Sequence, residues 1–380
     1  MSKYILIPDS FKGTMSSKEI CDIMSRSIHR HDPEAQTVSI PVADGGEGSV
    51  DAFLSAMEGE KVEVTVKGPY GEEMRSFYGV VDGGKTAVIE MAACAGLPLV
   101  GSQLHPDQTT TYGVGQLMLH AAEHGCRKII LALGGSCTND GGTVAAAAAG
   151  IQFLDDHGNP FVPVGGTLSK IAKIDDSKLS PALRQAEIRA MCDIDNPLFG
   201  ENGAAFVFGP QKGADPEMVK LLDQGLRHLS EVVAEQLHQD ISQIPGAGAA
   251  GGMGGGAVAF FGARLQMGID VLLDTVNFEH LIENADFIFT GEGRLDTQSL
   301  RGKVVIGVAR RAKNQNIPVL AVVGDVGDDI HSVYDMGVTA VFSINRVAVD
   351  FKKAKTRSKS DLNETMDNLM RLIQKQRKSA

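Results

Sequence analysis

The feature that most constrains the fold is an alternation of strand and helix patterns that stops near residue 61 and resumes near residue 280. Residues 1–60 read as strand, helix, strand and helix, an order that favours a parallel sheet. The first of these helices begins at a capping-box pattern formed by Ser16 and Glu19. The two alternating stretches are therefore predicted to fold together, although they lie far apart in the chain.

The stretch between them follows a different pattern. Residues 61–91 contain three short strand patterns separated by glycine-rich turns, which is typical of an antiparallel meander. We therefore predict an α/β protein with a doubly wound parallel-sheet domain, residues 1–60 plus 280–380, and an inserted second α/β domain, residues 61–279, that contains the meander. Insertions of this kind are tolerated because chain termini often lie close together.

The tail of the chain is a basic helix pattern over residues 352–378. Its apolar residues share one face: Leu362, Met366, Leu369, Met370 and Ile373. One interpretation is a helix that binds a partner or an anionic surface. The other is a C-terminal helix that packs on the sheet, with its Lys and Arg side chains in solvent and matched to the helix dipole.

Composition excludes several classes of protein. The chain has 380 residues, 43% hydrophobic and 22% charged, which is ordinary for a soluble globular protein. A net charge of -11 argues against nucleic acid and acidic membranes as partners. The N-terminal residues MSKYILIPDSFKG carry one Lys and a short apolar run, so we do not expect them to act as a signal peptide. No run approaches the ~18 apolar residues of a membrane helix. Five cysteines without a CxxC pair predict reduced thiols in the cytoplasm.

Polar loops follow the predicted strands of the first domain, where open α/β sheets bind ligands. Asp9 and Lys12 follow the first strand, and Asp44 follows the second in a glycine-rich loop. Asp44 suits a metal or a hydroxyl proton, or it is an ordinary helix cap. A later loop concentrates acids and bases of the kinds that phosphoryl transfer needs, namely Glu292, Arg294, Asp296, Arg301 and Lys303.

The inserted region adds three candidate loops. In residues 134–142 four glycines flank polar side chains, which makes a phosphate cradle plausible, and Cys137 is interpreted as a bystander because no His lies nearby. Residues 246–256 contain seven glycines and are read as a phosphate clamp or as tight helix packing. Asp193 and Asn196 offer oxygen ligands for Mg²⁺, or an Asx turn before a proline.

Six motifs, taken together and in order, resemble the bacterial glycerate kinase family of class I over nearly the whole chain. They are IPDSFKGTMSSKE, PVADGGEGS, LGGSCTNDGG, CDIDNPLFGENGAAFVFGPQKGA, PGAGAAGGMGGG and TGEGRLDTQSLRGKV. The resemblance implies a flavodoxin-like domain with an inserted restriction-enzyme-like α/β domain. It also implies ATP-dependent phosphorylation of D-glycerate with Mg²⁺, giving 2-phosphoglycerate in glycerate and glyoxylate (aldaric acid) catabolism.

We assign roles on this basis as hypotheses. The catalytic set is Asp296 or Asp44 as the base, with Lys12 or Lys303 on phosphate. Arg294 would clamp the glycerate carboxylate, and the other substrate-binding candidates are Asp9, Glu292 and Gln298. The nucleotide would be held by Gly134, Gly135, Ser136, Asn139, Asp140, Gly251, Gly252 and Gly254. The metal would be held by Asp193 and Asn196.

Three alternatives stay open. A glycerate 3-kinase on the same fold would carry the same motifs. A nicotinamide dehydrogenase would need GxGxxG after the first strand, where this chain has DSFKG. A non-catalytic glycerate or nucleotide sensor would keep the carboxylate clamp and could lose the acids. The expected partners are D-glycerate and ATP, with a homodimer as the candidate assembly and neither nucleic acid nor membrane.

Overall fold

The computed structural model describes residues 1–43, 45–297 and 299–377. Its backbone divides into two compact units, Met1–Asp44 with Ile269–Ala380, and Gly45–Gly268. The borders of these units lie closer to the N-terminus than the domain limits at 60/61 and 279/280, and the domain assignment itself stays a prediction. Each unit is described by itself below.

The first unit is built on a five-stranded sheet in which every pairing is parallel. From one edge to the other its strands are Val338–Ser343, Val319–Val323, Phe287–Gly291, Lys3–Pro8 and Gln36–Ser39. Numbered along the chain, this order is 2-1-3-4-5, the flavodoxin order. The predicted flavodoxin-like sheet is therefore confirmed, and its topological switch point lies between the strands Lys3–Pro8 and Phe287–Gly291.

The helices of this unit are Ser17–His31, Gly268–Thr275, which begins at the border, Phe278–Leu281, Val304–Lys313, Ser332–Asp335 and Phe351–Arg377. The first begins at the predicted capping box, in which Ser16 and Glu19 exchange hydrogen bonds. The last buries its apolar face in one cluster with Ile20, Met24 and Ile28. The C-terminal helix is thus packed within its unit. Burying each of its apolar side chains contributes about 1.5–3 kcal/mol to stability.

The second unit contains a mixed six-stranded sheet. Its strands are, in order, Arg264–Gln266, Glu187–Met191, Lys128–Ala132, Thr86–Glu90, Glu73–Val81 and Gly59–Lys67. The last three form the predicted antiparallel meander, and the first four are parallel. A small antiparallel sheet pairs Pro160–Phe161, Gln152–Leu154 and Lys173–Asp175.

The longer helices of the second unit are Ser49–Ala56, Tyr112–Glu123, Thr143–Ala148, Pro216–Leu237 and Ala249–Phe261. Short helices span Ala92–Ala95, Leu97–Val100, Pro181–Gln185 and Ala204–Phe208, and 3₁₀ turns span Gly165–Lys170 and Pro210–Lys212. The helix Ser49–Ala56 belongs here because the N–H of Val50 donates to the buried Glu90 carboxylate at 2.7 Å. In the described part of the chain no helix combines the length and apolarity needed to cross a membrane.

Candidate active site

Two loops of the first unit meet at the switch point of its sheet. The strands that precede them pair Pro8 with Gly291, and the N–H of Asp9 donates to the carbonyl oxygen of Gly291 at 2.8 Å. Gly293 lies against the backbone of the other loop, since a Cβ there would be 3.4 Å from the nitrogen of Lys12. The residues that follow these two strands are therefore held side by side, as expected for a ligand site of an open α/β sheet.

Glu292 is the most unusual carboxyl group of this site. Its side chain is only 6% exposed, and Oε1 has no hydrogen-bond partner among the described residues. Burial raises the pKa of Glu292 to about 7, against the opposing effects of the Ser299 hydroxyl and the Lys303 ammonium. At neutral pH this carboxyl group can therefore take up or release a proton, which suits general base catalysis.

The charged neighbours of Glu292 reach into solvent. The Nε atom of Arg294 lies 3.9 Å from Oδ2 of Asp296, with 63% and 34% of the two side chains exposed. Lys12 and Lys303 are exposed, and Lys303 directly precedes the helix Val304–Lys313. An ion pair as open as this one adds little stability, so the Arg294 guanidinium can bind an anionic ligand in exchange for it.

Six of the predicted first-unit site residues thus lie at one edge of the sheet: Asp9, Lys12, Glu292, Arg294, Asp296 and Lys303. Two others, Asp44 and Gln298, fall outside the described residues. The roles of all eight stay predictions.

In the second unit, loop 134–142 leaves the carboxyl end of the strand Lys128–Ala132. The N–H of Gly134 donates to the carbonyl oxygen of Gly45 at 2.8 Å, and a Cβ on Gly134 would lie 2.7 Å from the Cα of Gly46. Only glycine permits this approach. The glycine-rich segment that follows Asp44 therefore packs directly on the predicted phosphate loop.

Asp140 holds this loop from inside. It is fully buried and accepts hydrogen bonds from the N–H and the hydroxyl of Thr111, both at 2.8 Å, and from the N–H of Gly142 at 3.0 Å. Burial raises the pKa of Asp140 to about 6, and these hydrogen bonds oppose the rise. Asp140 shapes the loop through these contacts; a direct contact with nucleotide stays a prediction.

Lys212 is a residue of this site that the sequence patterns do not single out. It ends the 3₁₀ turn Pro210–Lys212, is 3% exposed, and donates from Nζ to Oγ of Ser136 at 2.9 Å and to the carbonyl oxygen of Thr138 at 2.7 Å. Burial lowers the pKa of Lys212 to about 8. Cys137 stands beside it, and burial raises the pKa of this thiol to about 11, so it stays protonated and is a poor nucleophile.

The glycines of residues 246–256 serve close packing in the structure. They lead into the helix Ala249–Phe261, whose backbone leaves helical geometry at Ala250, Gly251 and Gly252. A Cβ on Gly251 would lie 1.9 Å from the carbonyl oxygen of Thr138, and one on Gly256 would lie 2.1 Å from that of Gly141. These glycines thus bring the helix against loop 134–142, the tight-packing alternative. Direct contact of Gly251, Gly252 or Gly254 with nucleotide stays a prediction.

The predicted metal ligands already make hydrogen bonds. Oδ1 of Asp193 accepts from the N–H of Gly268 at 2.7 Å, and Nδ2 of Asn196 donates to the carbonyl oxygen of Asn202 at 2.8 Å. The described residues contain no cluster of three or more His, Cys, Asp or Glu side chains that could hold a metal. A metal here would need ligands from its substrate, as is usual for Mg²⁺ in phosphoryl transfer.

Comparison with known proteins agrees with this chemistry. The model of the glycerate kinase family matches residues 4–374. The Escherichia coli K12 protein named glycerate 2-kinase is 45% identical over 343 residues, 90% of each chain. A glycerate kinase from Halalkalibacterium halodurans is 41% identical over 97% of each chain. A crystal structure described as that of a glycerate kinase 2 from Salmonella typhimurium LT2 superposes with a TM-score of 0.88, at 39% identity and 99% coverage of both chains.

Proposed function

Because the chain belongs to the glycerate kinase family and is a kinase, we propose that it transfers the γ-phosphoryl group of ATP to D-glycerate, giving 2-phosphoglycerate and ADP. The observation that carries this proposal is the buried carboxyl group of Glu292, which stands at the switch point beside the exposed cations Lys12, Arg294 and Lys303. D-glycerate has a hydroxyl proton to lose and a carboxylate to anchor, and these side chains match both needs.

The reaction assigns a task to each group. The hydroxyl oxygen of glycerate bonds to the γ-phosphorus as the bond from that phosphorus to the β,γ-bridging oxygen breaks, and ADP leaves. The hydroxyl proton passes to the Glu292 carboxylate, while Arg294 binds the substrate carboxylate through its planar guanidinium. Burial and a pKa near neutrality favour Glu292 over Asp296 as the base. Asp44 remains the other predicted base.

We place the nucleotide phosphates at loop 134–142, whose Gly135 is exposed and whose later residues are anchored by Asp140 and Lys212. The oxygen chemistry of Asp193 and Asn196 suits Mg²⁺, and these two side chains would hold it together with phosphate oxygens. When bound, Mg²⁺ neutralises charge that develops on the phosphates.

The 2-phospho product is supported by the name of the Escherichia coli relative, glycerate 2-kinase. A glycerate 3-kinase on the same fold is the competing proposal, and a non-catalytic sensor is the competing class. Catabolism of glycerate derived from glyoxylate or aldaric acids is the proposed setting. The five buried free cysteines suit a reducing compartment, and we propose the cytoplasm. A homodimer stays a prediction.

The product distinguishes these proposals. The protein is incubated with D-glycerate, Mg²⁺ and ATP, and ADP release is measured in parallel with phosphoenolpyruvate formed by added enolase, which accepts 2-phosphoglycerate directly. Phosphoenolpyruvate formed without phosphoglycerate mutase identifies the 2-kinase. Phosphoenolpyruvate formed only after mutase is added identifies a 3-kinase. ADP release that does not depend on glycerate would contradict glycerate phosphorylation.

A further inference from the structure

No carboxylate of the described residues contacts the buried ammonium of Lys212, although the buried Asp140 carboxyl group acts on it through space and opposes the lowering of its pKa by burial. Its two described acceptors, the Ser136 hydroxyl and the Thr138 carbonyl oxygen, are neutral, and among the described residues no carboxylate lies within ion-pair distance of Nζ. An ammonium has three donors, so one is not used by these contacts. A buried ammonium that no carboxylate contacts is costly, and burial lowers the pKa of Lys212 more than Asp140 raises it.

Three buried polar atoms of the loop that Lys212 contacts have no hydrogen-bond partner among the described residues. They are Oγ1 of Thr138 and both Oδ1 and Nδ2 of Asn139, and both side chains are fully buried. Most buried side-chain polar atoms in proteins have a hydrogen-bond partner, so a group of orphans in one loop indicates a missing ligand or water. Thr138 links these atoms to Lys212, because its carbonyl oxygen accepts from Nζ at 2.7 Å.

We propose that Lys212, Ser136, Thr138 and Asn139 form a subsite for a phosphate group of the nucleotide, and we name these four residues the Lys212 cluster. The spare ammonium donor and the Thr138 hydroxyl donate to phosphate oxygens, and so does the Asn139 amide; water satisfies Oδ1 of Asn139. The phosphate approaches beside the exposed Gly135 and compensates the charge of Lys212. This proposal rests on the proposed function, since it assumes a nucleotide substrate.

Thr138→Val tests the proposed hydrogen bond from the Thr138 hydroxyl to phosphate most directly. Valine keeps the shape of threonine and removes a hydroxyl that has no partner in the described protein. The melting temperature without ligand should stay the same or rise, because an unsatisfied buried group is lost. The dissociation constant for ADP, measured by isothermal titration calorimetry, should rise about 3- to 10-fold, as expected for one lost hydrogen bond.

Lys212→Met removes the charge at similar length and should raise the dissociation constant for ADP about 10- to 100-fold. The matched control is Lys220→Met, at an exposed lysine of the helix Pro216–Leu237, which should leave ADP binding unchanged. In turnover measurements, Thr138→Val and Lys212→Met should each raise KM for ATP and leave KM for D-glycerate nearly the same. A purely structural role would change both.

ADP binding tests the subsite even if no glycerate is phosphorylated, so failure of the two proposals can be told apart. Wild-type affinity for ADP in folded Thr138→Val protein would overturn the Lys212 cluster, whether or not Lys212→Met folds. A loss of affinity in Thr138→Val with an unchanged melting temperature would support it.

Discussion

The N–H of Asp9 donates to the carbonyl oxygen of Gly291 across 2.8 Å, although the two residues belong to opposite ends of the chain. This bond extends the pairing of the two central strands past the sheet edge. Asp9 and Glu292 consequently leave the sheet at its switch point together. Burial raises the pKa of Glu292, and the nearby negative charges of Asp9 and Asp296 raise it further.

The raised pKa of Glu292 makes part of the stability depend on pH. The folded-state pKa of about 7 lies above the ordinary glutamate value of 4.5. Between these values the folded form therefore binds more protons than the unfolded form. The stabilising contribution of protonated Glu292 to the free energy of unfolding is lost as pH rises toward 7. Between pH 5.5 and 7.5 the wild-type melting temperature should fall more than that of Glu292→Gln. Melting temperatures are measured by differential scanning calorimetry. If they fall equally with pH in the wild type and in Glu292→Gln, Glu292 does not titrate in this pH range.

Arg294 should act on substrate binding and not on folding. Lysine cannot reproduce a two-pronged guanidinium contact with a carboxylate. Arg294→Lys should raise KM for D-glycerate about 10- to 100-fold, and its melting temperature should stay the same because 63% of the side chain is exposed. Arg75→Lys, at an 86% exposed arginine, is the control. An unchanged KM for D-glycerate in Arg294→Lys would contradict the binding of the substrate carboxylate by Arg294.

Gly251→Ala tests the packing of the glycine-rich helix start. Its Cβ would lie 1.9 Å from the carbonyl oxygen of Thr138, and the residue has a φ of +67°. Gly262→Ala has a similar φ of +62° and nothing within 4 Å of its Cβ, so it carries the backbone strain without the clash. In urea unfolding Gly262→Ala should lose about 1 kcal/mol and Gly251→Ala about 1–3 kcal/mol more. Equal losses would mean that close packing is not needed here.

Asp140→Asn tests the internal anchor of loop 134–142. An amide retains one acceptor oxygen, whereas the carboxylate accepts three hydrogen bonds through both oxygens. The variant should lose about 1–3 kcal/mol of unfolding free energy in urea, while Asp156→Asn, at an 82% exposed side chain, should change by less than about 0.5 kcal/mol. An unfolding free energy of Asp140→Asn equal to that of the wild type would show that other contacts hold the loop.

Local patterns predicted most of the elements. The capping box at Ser16 and Glu19 locates the first helix, and strict alternation locates the strand Gly59–Lys67, because both signals are contained within a few residues. The sequence also predicts the helix Ser49–Ala56, yet not the sheet that it packs on. That is decided by Glu90, 40 residues beyond its partner Val50.

The candidate site was only partly predictable for the same reason. Glycine and acid-rich loops after strands indicate where ligands bind, but burial depends on distant parts of the chain. Lys212 lies within the fourth motif, yet no local pattern marks it as buried. In the structure it is 3% exposed and donates to Ser136, 76 residues earlier. Glu292 is one acid among several in its loop, and its enclosure distinguishes it only once the sheet has formed.

The most direct test of the proposed reaction is the turnover number of Glu292→Gln with saturating D-glycerate and ATP. Glutamine keeps the shape and cannot accept the hydroxyl proton, so kcat should fall about 10²- to 10⁴-fold, while the matched control Glu283→Gln, at an exposed carboxyl of the same unit, keeps wild-type turnover. The acid limb near pH 7 in the wild-type profile of kcat/KM should disappear in Glu292→Gln. A folded Glu292→Gln protein with wild-type kcat and the same pH profile would contradict Glu292 as the base.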